Sequence, residues 1–438
     1  MTDPDEKITP SQMIAIGICF ALQMLDGMDV LVVAYAAPQI TSEWGISRQI
    51  YGIIFSAGVA GMTVGSFLLA PFGDIIGRRR TILIAITTLA ISVFLSAFAN
   101  TVTQLMVLRF VAGLGVGVAG PNLSTLAAEY SPLKYRNFVV VMIGGGYALG
   151  ATCTGFLAAW VIPEYGWRTM FMVAGIGTAI MLPLAFAMLP ESLEFLLKRQ
   201  PGDALKRVNL LLRRFGQPLL SRLPEVIIEV RKGLGVSSLL APSRRVSTLG
   251  LWAGFLMVYA TVYFLLGFVP QVVADMGLPL NQSIYAGTLY SFGGLVGIIL
   301  LGVLGTRYSL LKAIVGYELA AAACMIVFAL VTSPLVLLLF VIAILGFFSQ
   351  AALVGMVAAA ARLYPTELRA TGIGWGMGAG RFGAIIGPYV GGLLMTLDLS
   401  RSSSLMFFAI PLVLAAVAAL FIRFPEQTPL SSSAETGS

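Results

Sequence analysis

Apolar stretches about as long as a bilayer is thick recur through this chain, separated by short polar turns. No other feature constrains its fold as much. A helix needs about 20 apolar residues to cross a hydrocarbon core. Inside that core the backbone must satisfy its own polar groups, which favours helices over open strands. The stretches predict spans at 13–36, 50–73, 81–99, 103–126, 138–160 and 169–189. After a long polar interval they predict six more, at 248–270, 284–305, 312–332, 334–360, 370–395 and 403–423. The expected fold class is an all-α integral membrane protein with twelve transmembrane helices. The turn at 331–336 is the least marked, because no charge falls in it.

Composition agrees. Only 11% of the 438 residues are charged, against about 25% in a typical soluble domain. That is too little to dress a soluble surface. The pI near 9.4 does not point to nucleic acid. The positive charge sits in short loops, with no aromatic-interleaved basic tract or zinc-finger spacing. Cys19, Cys153 and Cys324 fall in apolar stretches without redox or metal spacing. Histidine is absent, so the commonest proton relay and transition-metal ligand is missing. No nucleotide loop, metal cluster or catalytic triad spacing is found, and neither an enzyme nor a cofactor is expected. The acidic, polar N-terminus lacks the features of a cleaved signal peptide, so the first span is expected to be retained.

Charge bias predicts the orientation. With both termini cytoplasmic, 22 of the 27 Lys and Arg residues fall inside and only Arg48, Arg168 and Arg401 outside. That is the positive-inside pattern. Arg109 and Arg381 lie within spans.

The sequence also repeats itself at one constant offset. Pro132 matches Pro365, Arg136 matches Arg369, Gly150 matches Gly383, and Arg79 falls on Lys312. The expected organisation is two parallel six-helix halves, 1–189 and 248–438, joined by a cytoplasmic linker at 190–247. Repeated halves of this kind characterise one class of secondary transporter. Within the linker, Leu205, Val208, Leu211 and Leu212 have the spacing of a short amphipathic helix at the inner leaflet. A plain solvated linker is the other reading.

Charges inside spans carry the functional argument, because an ionised side chain in hydrocarbon usually faces a cavity or a partner. Asp26 and Asp29 are three residues apart and share roughly one helix face. At 1.5 Å per residue, Asp26 lies roughly 20 Å from the inner end of the first span and Arg109 roughly 9 Å from the outer end of the fourth. These depths nearly coincide in a core of about 30 Å. An aspartate pair opposite an arginine suits a proton site, or a permanent ion pair that locks the first half. Glu129, at the inner end of the fourth span, is a further candidate for coupling or gating. Arg381, in the middle of the eleventh span, has the guanidinium fork that suits a carboxylate. The other reading for Arg381 is capping a helix dipole or pairing with a membrane carboxylate. Tyr147, Tyr259 and Tyr263 could line the same cavity, and Tyr259 follows Asp26 by the offset of the repeat. Glu318, six residues into the ninth span and near Lys312, is expected to snorkel to the inner interface. Glycine runs in the fourth, fifth and eleventh spans predict close helix approach, either static or as surfaces that rock during transport.

These motifs resemble a known family. LDGMDVLVVAYAAP at 25–38, RFVAGLGVGVAGPNLSTLAAEYSP at 109–132 and LPESLEFLLKR at 189–199 are similar to segments of the aromatic acid:proton symporters of the major facilitator superfamily. So is LYPTELRATGIGWGMGAGRFGAIIGPYVGG at 363–392. GDIIGRRR at 73–80 resembles the superfamily's loop motif. The resemblance implies two pseudo-symmetric six-helix bundles in a bacterial inner membrane. It implies proton-coupled import of a benzoate or hydroxybenzoate, with the organic anion and the proton as partners of a monomer in the lipid bilayer. Asp26, Asp29, Arg109 and Glu129 would then serve proton coupling. Arg381, Tyr259, Tyr263 and Tyr147 would bind substrate, and Asp74, Arg78, Arg136 and Arg369 would gate. The residues alone also admit another organic anion, such as a sugar acid or dicarboxylate, or a sensor on the same scaffold. The loop motif departs from its usual form at Ala70 and Ile75, as does its counterpart at Thr306–Arg307. Those departures bear on the inner charge lock more than on the substrate class.

Overall fold

The computed structural model of the chain describes residues 8–224, 236–307, 309–331, 334–397 and 400–424. Lys7, Arg231, Lys232 and the turn at 332–333 lie outside them. The described residues form helices joined by short turns. Helix α1 (Pro10–Trp44) starts at a capping box, in which Thr9 and Gln12 satisfy each other's backbone donors. It ends at Gly45 in the left-handed conformation, and so runs well past its expected end at 36. Helix α2 (Arg48–Val64) continues through a π turn and a 3-10 turn into α3 (Gly73–Ile76). Next come α4 (Arg78–Ser96), α5 (Val102–Tyr130) and α6 (Leu133–Met188). The linker holds α7 (Leu193–Arg199), α8 (Ala204–Arg214) and α9 (Val236–Leu239). The remainder comprises α10 (Arg245–Asp275), α11 (Leu280–Arg307), α12 (Leu310–Leu330), α13 (Leu335–Leu363), α14 (Thr366–Thr396), α15 (Arg401–Phe407) and α16 (Ala409–Leu420).

Among the described residues, ten helical stretches are long and apolar enough to cross a membrane. The spans expected at 138–160 and 169–189 form one continuous element, α6, broken at Gly166 with φ 81° and ψ 165°. Helix α14, at 31 residues, is long enough to cross but is not among the ten. Its glycine run and Arg381 dilute its hydropathy. Large apolar side chains such as Ile84, Val107, Trp160, Ile180, Ile299 and Phe340 are exposed along the helices. In a soluble protein such a belt would drive aggregation; in a bilayer it meets lipid.

Helix pairs approach backbone to backbone, and the same pairing occurs before and after the linker. Helix α1 packs on α6 and α2 on α5; after the linker, α10 packs on α14 and α11 on α13. A Cβ at Gly150 would fall on the Met24 carbonyl oxygen, and one at Gly383 on that of Leu256. Likewise Gly113 faces the Gly58 carbonyl and Gly346 that of Tyr290. Both glycine pairs, Gly150 with Gly383 and Gly113 with Gly346, are separated by the offset of the sequence repeat. The repeat therefore recurs as packing geometry. Lipid tails are as apolar as leucine, so close van der Waals contact is what holds such helices together.

Helices α2 and α14, α6 and α11, and α1 and α10 join the two sets. The hydrogen bonds between the sets gather toward the end away from the linker. Arg48 donates to Asp275 at 3.0 and 2.5 Å, Tyr51 to the Gly267 carbonyl at 2.9 Å, and Ser56 to the Ile385 carbonyl at 2.7 Å. Toward the linker end Phe138, Val141 and Trp375 are exposed.

Helix α8 departs from both readings of its apolar stripe, a helix on the inner leaflet and a plain solvated linker. Val208, Leu211 and Leu212 are buried by protein, and Phe215, just beyond, packs edge-on against Tyr130 at 5.6 Å. The bundle, not lipid, covers that stripe.

The packing predicts opposite outcomes for two kinds of glycine. Gly150→Val and Gly346→Val force backbones apart and should destabilise by about 2 kcal/mol or more, seen as loss of a monodisperse, thermally stable peak in detergent. Gly144→Ala, where an added Cβ meets nothing within 4 Å, should leave that peak unchanged.

Candidate functional site

Helix α1 carries Gln23, Asp26 and Asp29 at three-residue steps. Arg109, from α5, donates from one terminal nitrogen to Asp29 Oδ1 at 2.7 Å and from the other to Ser96 Oγ at 3.0 Å. Its guanidinium also lies over the Phe171 ring at 5.0 Å. Arg109 is 3% exposed and Asp29 6%. A water-sized cavity of about 20 Å³, lined by Val33, Phe55, Val59 and Met62, flanks the pair.

Asp26 differs in kind. It is 0% exposed, yet neither carboxyl oxygen has a hydrogen-bond partner among the described residues. Gln23 Oε1 and the Tyr147 hydroxyl are buried without partners as well. Nearly all buried polar groups in native proteins are bonded, so three such groups on and beside α1 without a partner among the described residues set this place apart. The spacing of Asp26 and Asp29 suggested a pair facing one arginine. The structure gives Arg109 to Asp29 alone and leaves Asp26 uncompensated.

Across from α1 stands Arg381 of α14. It is half-buried, and its hydrogen-bond partner among the described residues is the Tyr263 hydroxyl at 3.2 Å. Tyr263 stacks on Tyr259, centroids 5.8 Å apart and planes 13° apart. The glycine run of α14 makes room for this column. Gly376 faces Phe255 and Gly380 faces Tyr259 so closely that a Cβ would crowd either ring. Tyr147 sits in the electrostatic field of Tyr263, Arg381, Asp26 and Asp29 together. Seven expected residues therefore share one neighbourhood, namely Asp26, Asp29, Arg109, Tyr147, Tyr259, Tyr263 and Arg381.

Glu129 belongs elsewhere. At the linker end of α5 it pairs with Arg78 at 2.5 Å and accepts from Ser192 Oγ at 2.5 Å. Arg78 also reaches Asp74 at 3.2 Å. Glu191 accepts from the Arg79 backbone at 2.9 Å and packs against Gly77, whose φ of 103° permits the approach. In α7, outside the spans, Glu194 is held below the usual carboxylate range by its hydrogen bond from Lys198, with the charges of Arg78 and Arg136 adding to the effect. The loop 73–80 is thereby fastened to the segment 190–199. Arg136 donates to the Ala128 carbonyl at 3.2 Å. Arg369 is exposed and makes no ion pair among the described residues.

The Major Facilitator Superfamily model matches residues 19–299 and 251–438. A gallate transporter of Pseudomonas putida is 32% identical across 95% of this chain and 93% of its own. A 4-hydroxybenzoate transporter of Acinetobacter baylyi is 30% identical across 96% and 92%. A benzoate transport protein of the same organism is 30% identical across 98% and 93%. The chain belongs to the Major Facilitator Superfamily. Solved structures agree at the level of fold. An inward-open xylose transporter of Escherichia coli aligns with a TM-score of 0.73 at 18% identity, covering 96% of this chain and 98% of its own. A D-xylose–proton symporter aligns at 0.75 and 15%, covering 94% and 97%.

Within this superfamily fold, two contributors escaped the sequence reading. Ser96 and Phe171 hold Arg109. Glu191 and Ser192, which hold the loop cluster, fall in the motif at 189–199, but their partners were not legible there. Serine and phenylalanine are too common to stand out in sequence. Gln23 was legible in principle, as an amide in an apolar stretch one turn before Asp26.

Charge compensation separates the two aspartates experimentally. Asp29→Ala strands a buried guanidinium, and breaking such a pair typically costs about 3–5 kcal/mol. Asp26→Asn removes a carboxyl that has no partner and should be neutral or stabilising. Thermal unfolding in detergent should show a large drop for the first and none for the second.

Proposed function

We propose that this superfamily member is a proton-coupled symporter importing an aromatic carboxylate of the benzoate or hydroxybenzoate type. One observation carries the reading. Among the described residues, a buried carboxyl without a hydrogen-bond partner, Asp26, and a guanidinium bonded to the Tyr263 hydroxyl alone, Arg381, face the same neighbourhood from opposite sets of helices. The relatives named for gallate, 4-hydroxybenzoate and benzoate support the substrate class.

The residues have distinct parts in this scheme. Arg381 takes the substrate carboxylate through its planar fork, a geometry that a lysine ammonium does not reproduce. Tyr259, Tyr263 and Tyr147 offer ring faces and hydroxyls to an aromatic acid. Asp26 receives the proton, while Asp29 keeps its charge against Arg109. The two aspartates act as a coupled site. Loading both substrate and proton removes the unpaired charges on the two facing surfaces, which favours moving one against the other. The cluster of Asp74, Arg78 and Glu129, with Arg136 and Arg369 nearby in sequence to the same kind of loop, serves the inner gate.

The proposal extends to architecture. The break at Gly166 makes α6 two crossings, and α14 supplies another, which gives twelve. Residues 1–189 and 248–438 form the two six-helix bundles, with 190–247 as the cytoplasmic linker. Both termini are cytoplasmic, in a bacterial inner membrane, and the protein works as a monomer. The set-to-set bonds at Arg48–Asp275 then lie outside, so the form described opens inward. Single cysteines placed in the linker should react with a membrane-impermeant maleimide only after cells are lysed. Labelling of sealed cells would reverse the orientation.

Proteoliposomes test the transport reading. Wild type should accumulate benzoate or 4-hydroxybenzoate uphill when the outside is acidic, in preference to sugar acids and dicarboxylates. Arg381→Lys should weaken uptake about tenfold or more, corresponding to at least one lost charge-assisted hydrogen bond. Asp26→Asn should lose uphill accumulation and keep exchange at equal pH. Normal uphill accumulation by Asp26→Asn would remove it as proton carrier.

A further inference from the structure

Among the described residues, the central site leaves one buried carboxyl unused. Glu318 was expected to reach the membrane interface from near the start of α12. It does not. It is 0% exposed, and both carboxyl oxygens lack a hydrogen-bond partner among the described residues. It lies eight residues past Leu310, roughly 12 Å along the helix. Its helix packs against α11, α13, α15 and α16.

Among the described residues, none of these elements compensates it. Helix α16 carries no ionisable residue. On α13 the one ionisable group, Arg362, is exposed near the linker end. On α15, Arg401 is at the opposite end and donates to the carbonyls of Ala329 and Val331. On α11, Tyr290 shares a hydrogen bond with Ser349, Tyr285 is exposed near the far end, and Arg307 is the last residue. Within α12, Lys312 is exposed, Tyr317 stacks on Phe347 and Cys324 is half-buried.

The internal repeat supplies a control. The offset that carries Gly150 onto Gly383 carries Ala85 onto Glu318. Ala85 is buried in α4 beside Gly115. The equivalent helix before the linker packs without a carboxyl. The fold does not require an acid at this place.

We propose that Glu318 is a second proton-binding site, separate from the substrate cavity, whose carboxyl is protonated when α12 packs against α13 and α16. A neutral acid can be buried there; an unpaired carboxylate cannot remain without loosening the packing around it. Release of this proton makes the later helices less stable as pH rises. Paired surface carboxylates act in the opposite sense, since they lose their stabilising contacts as pH falls.

The test uses the full-length protein in detergent and reads folding, so its failure is distinct from failure of the transport reading. The unfolding midpoint of wild type should fall between pH 6 and pH 9 by at least ~2 °C more than that of Glu318→Gln or Glu318→Ala. Glutamine copies the neutral acid, and alanine installs the residue of the earlier half. Infrared difference spectra should show a protonated-carboxyl carbonyl band in wild type that disappears in Glu318→Gln and is reversibly lost at high pH. Identical pH dependence in wild type and both variants, or a band unchanged by Glu318→Gln, overturns the proposal. So does failure of both variants to fold, since a neutral side chain is what the proposal says this core accepts.

Discussion

Hydrocarbon offers no hydrogen bonds, and everything else in this molecule follows from that constraint. Each long segment closes its own backbone bonds as a helix. Between helices there is no hydrophobic gain to exploit, so contact itself must hold them. Glycines at α1–α6, α2–α5, α10–α14 and α11–α13 bring carbonyls to where a side chain would otherwise stand.

Against that background a buried charge is conspicuous, and this chain treats its buried charges unequally. Arg109 and Asp29 form a closed unit completed by Ser96 and Phe171. Asp26, one turn away, has been left without compensation. A fully paired cluster would only brace the bundle. An unpaired acid beside a paired one creates a site whose energy depends on a proton. Arg381 brings a similar incompleteness from the other side, with one tyrosine hydroxyl among the described residues for a group that has five donors.

The two ends of the molecule are held differently. Away from the linker, α2 is bonded directly to α10 and α14 through Arg48, Tyr51 and Ser56. At the linker end the strong contacts stay within the first set, where Arg78, Glu129 and Ser192 fasten the loop at 73–80 to the segment after α6. Asp74 is largely exposed there. Among the described residues, the polar contacts between sets thus gather at one end, and those at the other stay within a set.

The sequence by itself determined the membrane class, the positions of most spans, the internal repeat and the small group of charges worth attention. These are local or periodic properties: runs of apolar residues, loop charges and rare residue types in the wrong solvent. It could not say that Gly166 would break α6 within one continuous element, or that α8 would bury its apolar stripe against protein. Nor could it say which aspartate Arg109 would choose, that Glu129 would join Arg78 instead of the central site, or that Glu318 would turn inward. Each of those outcomes depends on where a second helix stands. A side chain's partner is set by distances of a few ångströms between segments far apart in sequence, and only the tertiary structure decides them.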